Sequence, residues 1–233
     1  MNDRSALIVG VGPGLGAALA RRFARGGLAV GLAARQADRL AGLAGEIGGR
    51  AFACDVTDEA AVERLFAGFG EAYGTPAAVV YNAGGFLMKP VTETDAAEFE
   101  RCWRVGCLGG FLVGRAAAKA MLPEGRGTIL FTGATASLRG GARFAAFAAG
   151  KFGLRAVAQS LARELGPQGI HVAHVVIDGQ IADATRPGRA PGTRGEDAML
   201  DPDAIAEAYW QLHVQPRSAW THELDVRPWV ERF

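Results

Sequence analysis

The stretch Val9-Gly10-Val11-Gly12-Pro13-Gly14-Leu15-Gly16 holds the residue types most suggestive of chemistry. It follows the apolar run Ala6-Leu7-Ile8-Val9 and leads into Leu19 to Arg25. A strand, a glycine-packed turn and a helix N-terminus in that order can seat a pyrophosphate. Glycine lets the backbone turn sharply and approach the anion, and the free N–H groups of the helix start face it with partial positive charge. Gly10, Gly12, Gly14, Leu15 and Gly16 are the candidate contacts. An ordinary βα turn in a glycine-rich chain is the alternative.

Such a seat needs a parallel sheet behind it, and the hydrophobic pattern supplies one. Short apolar runs predict strands at Ala6–Val9, Leu28–Ala33, Arg50–Ala53, Ala78–Tyr81, Thr128–Thr132, His171–Ile177 and Glu223–Val226. Longer amphipathic runs predict helices at Leu15–Arg25, Ala37–Ile47, Asp58–Tyr73, Ala96–Met121 with a break, Arg143–Leu165 and Asp203–Leu212. Strands with little polar alternation are covered on both faces, so the αβ alternation predicts an α/β, doubly wound sheet. Asp95 and Glu98 have capping-box spacing, Asp201-Pro202 reads as N-cap then first helical residue, and Leu165-Gly166-Pro167 as a helix stop. No repeat or linker divides residues 1–233, which read as one domain. The loop-like tract from Arg186 to Gly195 follows the sixth strand, at the sheet edge where ligands bind. A substrate lid over 183–200 and a plain surface loop are both compatible with it.

Three further segments at the ends of strands point to a dinucleotide. After the second strand comes Ala33-Ala34-Arg35, where an acid would hold a ribose 2′-hydroxyl and an Arg would neutralise a 2′-phosphate. Ala34 leaves no acid, so Arg35 favours NADP over NAD; a solvated Arg opening the next helix is the alternative. No second basic residue lies in the glycine loop. Asp55-Val56 places a carboxylate near an adenine amine, or else Asp55 and Thr57 are turn and cap residues. Asn82-Ala83-Gly84 gives a flat segment against the adenosine half, with Asn82 tying strand ends.

Totals narrow the class. A chain of 233 residues, half of them apolar, with net charge +1, buries a sizeable core and carries no signal for nucleic acid. Only three of the 25 cations are lysines (Lys89, Lys119, Lys151), which singles each of them out. Cys54, Cys102 and Cys107 are odd in number without metal spacing, so reduced thiols, no metal site and a cytoplasmic location are expected. Met1 to Ser5 reaches a strand too quickly for a signal peptide, and no apolar run approaches the ~18 residues of a membrane span.

In combination, the Gly-x-x-x-Gly-x-Gly pattern, Asp-Val after the third strand and Asn-Ala-Gly after the fourth resemble the short-chain dehydrogenase/reductase family. The resemblance runs through Lys151 and covers nearly the whole chain. It implies a single-domain Rossmann fold with seven parallel strands, NAD(P) binding, and dimers or tetramers. Gly10, Gly14 and Gly16 match its glycine motif, while Asp55, Val56, Asn82 and Gly84 match further cofactor or sheet positions. Val9 stands where the family usually has Thr.

The family usually catalyses hydride transfer with Tyr, Lys, Ser and Asn. Here Tyr-x-x-x-Lys reads Phe147-Ala148-Ala149-Gly150-Lys151, so Lys151 is kept for the ribose and the proton donor is gone. Ala134 stands at the Ser position and Gly106 at the Asn position. No register shift restores the tyrosine, because Tyr73, Tyr81 and Tyr209 all lack a Lys four residues on. The family's Asn-Pro-Gly-x-x-x-Thr becomes Ile177 to Asp183, keeping Gly179 and placing Ile181 beside the cofactor. Replacement chemistry has several candidates. Thr135 or Ser137 could hold a substrate oxygen or merely end a strand. Asp178 or Asp183 beside an apolar wall such as Phe147 could donate a proton, though Asp178 could equally make a turn with Gly179. Lys151 could donate directly if desolvated. His174 reads as a satisfied core residue and Cys107 as packing.

Trp210, Trp220 and Trp229 fall within the last 24 residues, which suggests either a tail packed on a partner subunit of a homodimer or homotetramer, or core packing within one chain. Two functions remain open on the sequence. One is an NADP(H)-linked oxidoreductase of an unknown small carbonyl or alcohol with non-standard acid/base residues. The other is an inactive nucleotide-binding protein that senses redox state or supports a partner.

Overall fold

The computed structural model describes residues 5–193 and 195–231. The residues Met1 to Arg4 of the N-terminal reading and Arg194 of the loop lie outside them. Seven strands form one all-parallel sheet: β1 Ser5–Val9, β2 Ala29–Ala34, β3 Arg50–Ala53, β4 Ala78–Tyr81, β5 Gly127–Thr132, β6 Ile170–Ile177 and β7 Glu223–Val226. Their order is β3-β2-β1-β4-β5-β6-β7. This is the expected Rossmann-type, doubly wound α/β architecture, with the order reversing between β1 and β4.

Every residue of β1 is buried because both faces are covered. Ala6 and Ile8 join the core under α1 (Leu15–Arg25) and α7 (Pro202–His213), whereas Leu7 and Val9 join the core under α3 (Glu59–Tyr73), α5 (Gly109–Met121) and α6 (Ala145–Leu165). Alternate side chains of a strand point to opposite faces, so one apolar run feeds two cores. Each large side chain buried this way contributes about 1.5–3 kcal/mol.

The predicted helices keep their places, with corrections at their ends. The second opens as a 3-10 turn, Ala37–Leu40, before α2 (Ala41–Ile47). Asp58 is the N-cap of α3, accepting from the Ala60 N–H, rather than its first residue. The fifth starts at Ala145 rather than Arg143, which sits at φ 71°. The Asp95/Glu98 capping box and the Asp201 cap with Pro202 behind it both form.

The break within Ala96–Met121 has a definite form. After α4 (Ala96–Trp103) the chain makes one wide π turn, Arg104–Leu108, before α5 begins. Such a turn loosens the helical ladder, and the buried Tyr81 hydroxyl donates to the Val105 carbonyl at 2.5 Å. By length and composition alone the helical stretch Ala96–Glu124 could cross a membrane, with a window of mean hydropathy 1.3, a length the sequence reading divided at its break. Half of that window is buried inside the protein.

The tryptophans divide. Trp210 packs edge-on to Phe23 and beneath Arg22, and Trp220 stacks on His171 at 4.9 Å, so both serve packing within the chain. Trp229 is 80% exposed.

Candidate functional site

A cleft of about 1200 Å³ opens at the carboxyl edge of the sheet, across the reversal between β1 and β4. Gly10, Gly12, Ala33, Arg35, Asp55, Val56, Asn82, Ala83 and Gly84 of the sequence reading line it. Gly10 has φ +87° and lies so close to Ala83 that a Cβ would fall 2.3 Å from the Ala83 nitrogen. Only glycine fits there. A Cβ on Gly12 or Gly14 would instead meet nothing within 4 Å. The α1 N-terminus has no side-chain cap and no acid in its first turn; the Ala17 N–H bonds to the Gly12 and Gly14 carbonyls, which leaves the N–H groups ahead of it for an anion. Gly16 packs on Val11 and Leu15 is buried, which makes these two supports of the turn.

Asn82 ties the two sides of the crevice. Its backbone N–H donates to the Val9 carbonyl at 2.8 Å and its Nδ2 to the Gly10 carbonyl at 3.1 Å. Asp55 accepts from the Thr57 N–H at 2.9 Å and hydroxyl at 2.8 Å, so the turn reading of this residue holds while it also lines the cleft. Those bonds from Thr57, assisted by the charge of Arg35, hold its carboxyl below the usual range.

Sequence reasoning missed several cations on the cleft wall. Arg39, on the turn after β2, lines the same cleft as Arg35, and both are exposed without an ion pair among the described residues. The signal was available: residues at i and i+4 of a turn or helix share a face. Arg21 also lines the cleft but is held by Glu46 at 2.6 and 2.8 Å. Arg101 and Arg186 line it as well, the latter paired with Asp183 at 3.1 Å.

Lys151 is buried, and its Nζ donates to the Thr132 carbonyl at 2.6 Å. A Cβ on Gly84, in the cleft wall, would be 3.7 Å from that Nζ. Burial pulls the ammonium down to about 8. Phe147 lies with its ring centroid 6.0 Å from Nζ, in contact with the rings of Phe86 and Phe144. Ala134 offers its N–H to the Ser137 hydroxyl at 3.1 Å, and Ser137 is fully buried. Gly106 sits in the π turn, where a Cβ would be 3.1 Å from Gly150 Cα.

The replacement acids do not find the expected surroundings. Asp178 is buried, but it accepts from the Thr135 hydroxyl at 2.5 Å and faces Arg139 at 3.6 Å and Arg227 at 3.4 Å. Two guanidiniums stand there in place of an apolar wall, and the Thr135 hydroxyl is committed to the carboxylate. Asp183 is held ionised by Thr185 and by Arg186. Gly179 packs on Pro228, and Ile181 pairs with Leu200 to close the base of the 183–200 loop; neither lines the cleft. His174 is buried as expected but only half satisfied. Its Nδ1 faces Glu223 at 3.2 Å, and its Nε2 has no partner among the described residues.

The family model for short chain dehydrogenases matches residues 4–186. A short-chain dehydrogenase/reductase of Armillaria gallica is 38% identical over 178 residues, 72% of this chain and 68% of the relative. The chain belongs to the short-chain dehydrogenase/reductase family. Among solved structures, a short-chain dehydrogenase from Rhodopseudomonas palustris is 40% identical with TM-score 0.85, covering 98% of this chain and 100% of the other. A metagenomic short-chain oxidoreductase in complex with NADP is 29% identical with TM-score 0.83, covering 99% of each chain.

A short-chain dehydrogenase/reductase carries out oxidoreduction linked to a nicotinamide nucleotide, and this cleft fits such a nucleotide. The space that a side chain would fill at Gly12 and Gly14 is open, α1 starts uncapped directly after Gly14, and Asp55 and Asn82 line the cleft with Gly12. These residues would hold the nucleotide, which when bound supplies or accepts hydride.

Proposed function

We propose that this protein is an NADP(H)-linked oxidoreductase of a small carbonyl or alcohol in which Lys151, rather than a tyrosine, is the proton source. One observation carries this reading: the buried Lys151 ammonium, anchored on Thr132, lies directly behind the cleft wall at Gly84. A proton held near neutrality by burial suits general acid chemistry at physiological pH. The Thr135 hydroxyl is committed to Asp178, whose carboxylate faces two arginines, and Ser137 is fully buried where it accepts from the Ala134 N–H. NADP is favoured over NAD because Arg35 and Arg39 together can meet a 2′-phosphate. The 183–200 loop, whose Arg186 reaches the cleft, serves as a substrate loop. The protein acts in the cytoplasm, as a homodimer or homotetramer.

The test is a broad panel of carbonyl compounds with NADPH. Protein-dependent NADPH consumption that is lost in Lys151→Met supports the reading. Tight NADPH binding without consumption of any acceptor favours the second one, a nucleotide-holding protein without catalysis. That alternative is motivated by Phe147, Ala134 and Gly106 at the positions the resemblance gives to Tyr, Ser and Asn.

A further inference from the structure

Phe86 is 65% exposed, although an isolated aromatic ring gains nothing from water. Its neighbours on the chain are anchored. The Cys102 thiol donates to the Gly85 carbonyl at 2.8 Å, and the Lys89 N–H donates to the Arg143 carbonyl at 2.8 Å. Between these anchors Phe86 meets Phe147 at 5.3 Å and Phe144 at 5.9 Å between centroids, both edge-to-face. The ring also lines the nucleotide cleft. An open aromatic wall therefore ends at Phe147, whose other neighbour is the Lys151 ammonium.

The chemistry of the acceptor narrows what this wall takes. Reducing a simple ketone leaves an alkoxide whose basicity is close to that of hydroxide, with a conjugate acid near ~15.7. That reaction needs an acid touching the oxygen as it forms, and Phe147 and Ala134 offer none. Reducing a quinone leaves a phenolate, with a conjugate acid near ~10, whose weaker basicity lets an ammonium set behind the cleft wall, as Lys151 is, serve as the acid.

Resting on the oxidoreductase reading above, we propose that the substrate is a planar quinone seated against Phe86, Phe144 and Phe147, with Lys151 completing its protonation. One carbonyl oxygen of the quinone takes a hydride, an electron pair with one hydrogen, from the C–H bond broken on a reduced nicotinamide nucleotide, which is left oxidised. An O–H bond forms, the ring becomes aromatic and the opposite oxygen is left as a phenolate. The phenolate formed takes its proton from the Lys151 ammonium, and the amine regains one from water. The net product is a hydroquinone.

The probe is 2,3-dimethyl-1,4-naphthoquinone, whose substituted ring carbons do not alkylate the three cysteines. Calorimetric titration of the NADP+-loaded full chain should show binding, weakened about tenfold in Phe86→Ala and kept in Phe86→Tyr. NADPH oxidation should follow with this quinone and be absent with acetophenone and cyclohexanone. Quinone binding that is undetectable, or indifferent to Phe86→Ala, overturns the proposal. Reduction of either ketone with the quinone inert, or as fast as the quinone, also overturns it while leaving the oxidoreductase reading intact. NADPH binding with no oxidation by any of the three overturns that reading and this proposal together.

Discussion

The Lys151 ammonium donates to the Thr132 carbonyl, and the Thr132 hydroxyl accepts from Tyr209, so one residue at the end of β5 anchors both α6 and α7. Burial without a carboxylate partner makes the charged form of Lys151 costly in the folded state. Its titration falls from the ordinary value of 10.5 to about 8. Between those limits the unfolded chain binds the proton and the folded chain does not, so stability rises with pH. Below about 8 both states are charged and the full penalty remains. Between pH 8 and 9 urea unfolding should therefore show wild type gaining about 1 kcal/mol relative to Lys151→Met. The buried thiols of Cys54, Cys102 and Cys107 are raised by burial and act in the opposite sense as the pH nears and passes their ordinary value of 9.0, a loss both proteins share, so the comparison isolates Lys151.

Arg35 and Arg39 should set the nucleotide preference. Charge-assisted hydrogen bonds to a phosphate are worth about 1.5–3 kcal/mol, so the double variant Arg35→Ser/Arg39→Ser should bind NADPH about 10- to 100-fold more weakly. NADH binding, which lacks the 2′-phosphate, should change less than about threefold. Equal losses for the two nucleotides would show the arginines acting elsewhere. Fluorescence titration of both nucleotides reads this directly.

Asp178 should prove structural. Removing its charge leaves Arg227 and Arg139 facing a neutral group at a buried position, and the pairs are partly screened because Arg139 is half exposed. Asp178→Asn should cost about 1–3 kcal/mol in urea unfolding and leave the pH dependence of turnover unchanged. A loss of turnover without loss of stability would restore Asp178 as a proton donor.

Ala134→Ser with Phe147→Tyr should give weak ketone reductase activity at best. Rebuilding the Asn position at the same time requires α6 to give way by a few tenths of an ångström, since a Cβ at Gly106 would lie 3.1 Å from Gly150 Cα. Gly106→Asn should accordingly destabilise the protein by about 1–3 kcal/mol. High ketone turnover in the double variant, measured by NADPH absorbance, would show that Gly106 is no obstacle.

The sheet was legible because all-apolar strands and glycine-punctuated turns are local signals, and β3, β4 and β7 agree with the sequence reading residue for residue. The nucleotide seat was legible for the same reason, being contiguous from Gly10 to Gly16. What escaped depends on distance in the chain. Arg101 and Arg186 reach the cleft from α4 and the 183–200 loop, and no spacing rule links them. The ion pairs that settle Asp178 come from Arg139 and Arg227, about 40 to 50 residues away on either side. Phe86 reads as a loop residue until the fold sets it against Phe144 and Phe147.

The most direct measurement is the pH profile of NADPH consumption with an acceptor that supports turnover, in wild type and Lys151→Met. If Lys151 is the proton source, the wild-type rate is level below about 8 and falls roughly tenfold per pH unit above it, as the ammonium titrates. Lys151→Met should be at least ~100-fold slower with no such break. A wild-type rate that stays level to pH 10, or a Lys151→Met variant with the wild-type profile, would contradict the role given to Lys151.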